Sequence, residues 1–571
     1  MILLEQTAIG PAPGYAVTTL TAGTGREYST RPSETPPNVA YLPLLTTAFA
    51  YTRSCWSLSS TTGGMTISQG RFEFANGDGV LDPWMQLAID GQPFVLRRGS
   101  QAVGDTGAYP ADYPVLFSGL GASWTPSWGT LVLNTTDALG LVLDTPCQAP
   151  PNLYAGTNIG AAGVEGLTTD IYNNPKPFLL GFAQNFQPIL VNSIALIYQV
   201  GDGSEILPMT LTVYVGGLSA ATGATSFSSL AKLQAATIVT SGAVNDSSIL
   251  NTSYGTYAGP DGWYFRMGFT AGNQITCDAA EGTAAQRTTA QCVTRLLSGR
   301  GKIPLANIEG ATALDAVLPG EVGVWTGQQT TIGAVLNRLL GGANGFATDT
   351  ALGKIQLGTL LDPETQTSVA TFQEWQIFGY ANGLNLSLSQ DQGVGLRVGT
   401  VGLDGHVTDA SYTNQGSCAG LPVKLVLLDY APNYTIQNQT SVPALAASNP
   451  TRAAMLFQSC ATVSYADPTG SIQKMHAKAP EFAVQSVFRY QADALAEATR
   501  QFAMRGRMNV IVQAPLSPDD AMAVDLGKTF TVQIPRFGWN NGRKLFCIGI
   551  IYSGGTVTSG ETMTLIGWGK L

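Results

Sequence analysis

The sequence predicts a β-rich α+β protein of several domains, and three observations predict it. The chain has 571 residues, beyond what one hydrophobic core serves, so three or four domains are expected. Over the first 150 residues, short alternating runs such as Phe94-Val-Leu96, Val115-Leu-Phe117 and Thr130-Leu-Val-Leu133 are separated by turn residues every 8–12 positions. That spacing is the pattern of a barrel or sandwich. Between Thr288 and Leu361 the period changes from two to that of a helix, which places a compact α/β module inside a β-rich chain.

The elements divide the chain into residues 1–150, a β-rich segment 151–285, an α/β module 286–378 and a second β-rich segment 379–571. The first boundary is the cluster Pro146-Cys-Gln-Ala-Pro-Pro151, which no regular element accommodates. The second segment carries strands at Pro188-Ile-Leu-Val-Asn192, Leu196–Val200, Leu211–Val215, Gly262–Gly268 and Gln274–Asp278. In the module, Cys292, Val293, Leu296 and Leu297 make one helical stripe; Ile332, Val335, Leu336, Leu339 and Leu340 make another, stopped by Gly341-Gly342. A strand at Lys354–Leu357 follows a Leu352-Gly353 turn. In the last segment, Leu384–Leu388 alternates and Leu421–Asp429 is strongly apolar. A helix is predicted over 491–507 with Ala492, Leu495, Thr499, Phe502 and Ala503 inward, its terminal arginines favourable to the dipole. A β-meander then runs to the C-terminus.

Composition narrows function. Charged residues are 12% of the chain and the formal charge is −9, with no lysine or arginine run. Tight binding to nucleic acid through phosphate neutralisation is therefore not expected; an acidic surface suits a conduit for DNA better than a binder. So few charges point to surface covered by other chains. Seven scattered cysteines with no CxxC pair read as buried free thiols, with a metal or iron–sulfur site assembled from distant cysteines as the competing reading. No signal peptide and no apolar run of membrane-spanning length is expected.

The chemistry-bearing types are sparse. The two histidines, His406 and His476, stand in no triad or zinc pattern, so no catalytic site, cofactor or metal is expected. Asn76-Gly77-Asp78-Gly79 and Asp82 read as an Asx-stabilised turn rather than a calcium loop, because no bidentate glutamate closes it. Asp90-Gly91 reads as a second turn leading into a strand tipped by Arg97 and Arg98, which either pair with acidic residues of a neighbouring subunit or are solvated. Trp124 and Trp128 flank Pro126, as core packing or as a contact between rings of an assembly.

The wording of Arg71–Trp84, a strand ending in Asn-x-Asp-Gly-x-x-Asp and followed by Asp90-Gly91 and the strand Phe94–Arg98, resembles the first barrel of bacteriophage tail hub proteins of Mu-like or siphophage type. The series Tyr154-x-Gly-Thr, Glu165-Gly and Lys176-Pro-x-x-x-Gly resembles the same family, as does a helix feeding a meander with Leu526-Gly527 before one strand and Gly542-Arg-Lys-Leu-Phe before the next. The resemblance implies two tube-type β-barrel domains, the second discontinuous, plus smaller α/β modules. It further implies a homotrimeric central hub of the baseplate or tail tip, adapting a six-fold tube to a three-fold tip around the channel for DNA and tape measure. Implied partners are the chain itself, distal tail or tail-tube proteins, the tape measure protein and tip, fibre or receptor-binding proteins, in a virion made in the host cytoplasm. The alternatives are a carbohydrate-binding or glycoside-processing β protein and a receptor-binding tip adhesin.

Overall fold

The computed structural model describes the chain except residues 13, 47–49, 57–60, 62–64, 100–106, 149–151, 221–223, 242–244, 378–386, 391–395, 402–406, 414–420, 440–441, 449, 537 and 555–560. It is a multidomain α+β structure built around one 13-stranded sheet. His406, Cys418 and the first half of the expected strand 384–388 lie outside the described residues.

The large sheet contains the same four-stranded unit twice. In the first unit the strands are Gln69–Ala75, Pro93–Arg98, Val115–Pro126 and Thr130–Thr136; in the second they are Asn509–Leu516, Thr529–Gln533, Arg543–Ser553 and Thr562–Lys570. Both units have the spatial order second, third, fourth, first, with every pairing antiparallel. The likeness extends to single hydrogen bonds. Before the second strand stands a glycine with positive φ, Gly91 (+70°) or Gly527 (+74°), a conformation that side chains disfavour. Gly91 N–H donates to Gly121 O at 3.0 Å and Gly527 N–H to Cys547 O at 2.9 Å; Gly121 N–H and Cys547 N–H donate back to Gln92 O and Lys528 O at 2.9 and 2.8 Å. Just beyond these residues both third strands are bulged, at Gly121/Ser123 and at Cys547/Gly549, which bends the strand. Phe94 and Phe530, three residues after the glycines, are both fully buried.

The two units are not separately closed barrels. Strand Ala50–Ser54 pairs with the first strand of the first unit through Ala50–Thr52 and with the third strand of the second through all five residues, so one ladder runs through both. The first half is folded back on itself by segment 42–45, which bridges Ala22 of edge strand Val17–Gly23 to Phe74 through Leu42 and Leu45. At the opposite edge, Ser387–Gln390 pairs with the first strand of the second unit.

Residues 151–285 supply most of two five-stranded sheets, whose facing side chains share a core containing Phe186, Trp263, Phe265 and Trp325. The last of these comes from Gly323–Thr326, which pairs with Phe178–Phe186 and so ties the α/β module to the segment before it. Helices Thr289–Gly299 and Ile332–Gly341 bury the stripes expected of them, and strand Ile355–Thr359 follows the Gly353 turn.

Two expectations for the C-terminal segment change. Strand Leu425–Tyr430 lies not in the large sheet but in a three-stranded sheet with Ala461–Ala466 and Glu481–Gln485, packed under helix Gln491–Arg505. That helix buries Ala494, Glu497, Ala498, Gln501, Met504 and Arg505, while Leu495 is exposed. The polar residues are satisfied on the buried side: Asn344 donates to Gln501 at 3.1 Å, Arg500 pairs with Glu497 at 2.7 Å and donates to Leu360 O at 2.5 Å. Arg505 lies over the Phe482 ring at 4.4 Å. Counting apolar residues alone therefore selects the wrong face.

Candidate assembly junction

The residues that carry the two units on one frame are on strand Ala50–Ser54. Tyr51 and Arg53, two apart, point to the same face, and both are buried, Arg53 with 1% of its side chain exposed. Gly70 lies directly across: a Cβ there would stand 2.4 Å from the Tyr51 ring, so the ring's place depends on glycine. The Arg53 guanidinium meets Asp349 Oδ1 at 3.3 Å, donates to Asp349 O at 2.5 Å and meets Asp525 Oδ1 at 2.8 Å. Tyr51 O–H donates to the other Asp349 oxygen at 3.2 Å, and the Ser68 hydroxyl donates to Asp349 as well. One arginine thus joins three segments: the strand at the seam, the α/β module through Asp349 and the second unit through Asp525. Asp137 completes the buried group, accepting Ser68 N–H and Gly140 N–H, each at 2.7 Å. Burial, and then the nearby Asp349 carboxylate, push its pKa up to about 7.

The second connection is ionic. Arg98, at the end of the first unit's second strand, has 7% of its side chain exposed and donates through Nε to Glu561 at 2.6 Å, with Nη1 and Nη2 on the Asp519 carboxylate. Asp519 is on the turn leaving the second unit's first strand, and Glu561 immediately precedes its fourth. Arg98, considered above for contact with another subunit, is committed within its own chain. Arg97 is also engaged internally, 3.4 Å from Glu5 and over the Tyr109 ring at 5.2 Å.

The expected turn is built from its own side chains. Asn76 Oδ1 accepts Leu81 N–H at 2.8 Å while Nδ2 donates to Asp82 Oδ1 at 2.9 Å. Asp78 Oδ1 accepts Val80 N–H at 3.2 Å, and Gly79 has φ +74°. Gly77 stands in open space, and Asp90 bridges to Gly121 beside the Gly91 turn. Asn76 and Asp82 thus bind each other and the backbone, which accounts for them without calcium; among the described residues no three His, Cys, Asp or Glu side chains gather as metal ligands. The turn is fastened to the neighbouring hairpin by Asn76 N–H donating to Gly129 O at 2.9 Å. In that hairpin the two tryptophans part ways. Trp124 packs against Phe74 and Trp84, whereas Trp128 is 100% exposed on a tip held by Ser127 N–H to Thr130 O at 2.8 Å.

Sequence reasoning singled out Arg98 but not its partners, and it missed Arg53, Asp349 and Asp525. Asp519 had a signal as part of a Ser-Pro-Asp-Asp turn; a lone arginine in the run Ala-Tyr-Thr-Arg-Ser had none. No protein-family model matches the sequence, and neither does any curated protein.

Among solved structures, the chain is similar to phage-type tail proteins. The tail protein from Neisseria meningitidis MC58 is 9% identical with a TM-score of 0.38, covering 99% of this chain and 96% of that one. The prophage MuSo2 43 kDa tail protein from Shewanella oneidensis is 9% identical with a TM-score of 0.37, covering 99% and 95%. The E. coli c3393 protein, a component of the type VI secretion system, is 8% identical with a TM-score of 0.31, covering 92% and 73%.

Three outcomes are expected of this junction. Arg53→Ala leaves Asp349 buried without its counter-charge and lowers unfolding free energy by roughly 3–5 kcal/mol in denaturant titrations; Arg53→Lys does not restore it, since an ammonium cannot span both carboxylates. Asn76→Ala removes two side-chain hydrogen bonds at a partly buried turn and costs about 1–3 kcal/mol in the same titrations. Asp137 makes stability fall with rising pH. Its folded pKa of about 7 lies above the ordinary carboxylate value, so the folded state binds the extra proton, and the stabilisation present at pH 4 is lost as pH approaches and passes 7. Urea midpoints should be higher at pH 5 than at pH 8, and Asp137→Asn should narrow that difference.

Proposed function

We propose that this chain is a structural protein of a phage-type tail, the trimeric central hub of its baseplate or tail tip. The observation that carries the reading is the duplicated four-stranded unit. Three copies with two units each present six similar units, the relation an adaptor between six-fold and three-fold parts requires. The hub would continue the tail tube or distal tail ring, surround the channel for DNA and tape measure, and hold the tape measure and the tip- or fibre-forming proteins. The motif resemblance at Asn76–Asp82 and at the C-terminal meander supports this reading. So does a charged fraction of 12%, which leaves surface suited to cover by other chains. The work is geometric and non-enzymatic: the buried Arg53, Asp349 and Arg98 join segments of the chain, and His476 is half-buried with no catalytic partner among the described contacts.

The test is the mass of the purified protein by light scattering over a concentration range, with negative-stain images. The expected result is a ring of about three times the 59.8 kDa chain. A stable monomer that binds or cleaves a polysaccharide would overturn the reading.

A further inference from the structure

The two units meet with unlike ends. The strand pairing through Ala50–Ser54 sets Ser553, the end of the second unit's third strand, level with Arg71, near the start of the first unit's first strand. The end of the first unit bearing Arg98 therefore abuts the end of the second bearing Asp519 and Glu561, and Arg98 fills that place.

The matching place on the first unit is uncovered. The ladders pair Phe74 with Leu131 and Leu516 with Met563, so Gly129 corresponds to Glu561 and the Gly77-Asp78 turn to Asp519-Asp520. Where the second unit presents Glu561 and Asp519 to an arginine, the first presents Trp128 and Asp78, both exposed. The surroundings are acidic: no lysine or arginine occurs from Phe72 to Leu96, and no charged residue from Val115 to Thr136, leaving exposed Asp78, Asp82 and Asp90. The two turns that carry them are tied by Asn76 N–H to Gly129 O, and an indole face and a carboxylate each attract a guanidinium.

The complementary end is also uncovered, and it is on the second unit. The position equivalent to Arg98 is Ile534, which is buried, but two residues on Arg536 is exposed, with no ion pair among the described residues. From Ile534 to Gly560 there is no acidic residue. Arg543 and Lys544 nearby are turned to Glu364 and to the Glu364 and Gln366 carbonyls, so Arg536 is a cation this end offers outward, as is exposed Lys570 at the end of the fourth strand.

We propose that the junction inside the chain is repeated between chains: Arg536 of one copy seats against Asp78 and Trp128 of the next. The occupant is a second copy because the receptor and its cation are the two ends that the internal junction leaves over. The contact is heterologous, so it closes into a ring or runs on as a filament; the closed ring rests on the hub reading, the contact does not.

The test is covalent trapping of full-length protein carrying Trp128→Cys with Arg536→Cys under mild oxidation. Cross-linked chains ending at three are expected, with none from either single variant. In light scattering, Asp78→Lys and Arg536→Glu should each raise the concentration needed for assembly about tenfold or more, and the double variant should recover it. All three residues are exposed; Asp78→Lys also removes the bond from Val80 N–H, so a thermal melt checks that each variant is folded. Wild-type trimers with no trapped product, or with unchanged assembly by Arg536→Glu, overturn the contact and leave the hub standing. Trapping that runs on past three supports the contact and overturns the closed ring. A wild type that stays monomeric and a pair that does not trap overturn both.

Discussion

The structure depends on a buried arginine placed where two sheets become one. Strand Ala50–Ser54 is five residues long, yet it pairs with strands of both units and sends Arg53 into the interior. A buried guanidinium is tolerated only where charge and hydrogen bonds return what water supplied. Here Asp349 from the α/β module and Asp525 from the second unit must both be present. Segments nearly 500 residues apart are thereby made interdependent: a chain that assembles either unit without the module leaves a charge uncompensated. Burial of apolar side chains alone sets no such condition, because it is indifferent to which surfaces meet.

The duplicated unit gives this constraint its use. Each unit repeats a turn glycine, a reciprocal pair of hydrogen bonds and a bulge that bends its third strand, so each bends that strand at the same place in its ladder. Joined head to tail through the seam, the pair uses one receptor and one cation at its middle and keeps a receptor and a cation at its ends. A polar arrangement of that kind is what a repeating assembly requires, and it arises from chain connectivity together with the placement of a few charges.

How much was legible varied with how local the cause was. Helices Thr289–Gly299 and Ile332–Gly341 announced themselves because their inward residues are apolar and regularly spaced. The turn Asn76–Asp82 was legible because its hydrogen bonds join residues within six positions. Helix Gln491–Arg505 was found but its inward face was not, since Glu497, Gln501 and Arg505 are buried by partners elsewhere. The duplication was implied by the family resemblance but was not legible in residue pattern: the two units agree in backbone hydrogen bonding and in a few residues such as Gly91 with Gly527 and Phe94 with Phe530, while their connections differ in length.

The sequence by itself determined the β-rich α+β class, the α/β module, the turn chemistry and the low charge, because each follows from residue type and short-range periodicity. Only the tertiary structure decided that the two β-rich ends share one sheet, that Arg98 is spent within the chain, and that Trp128 stays outside while Trp124 packs. Strand partners and buried charge pairs are chosen by geometry across hundreds of residues, and a five-residue strand carries no local mark of which two neighbours it will join.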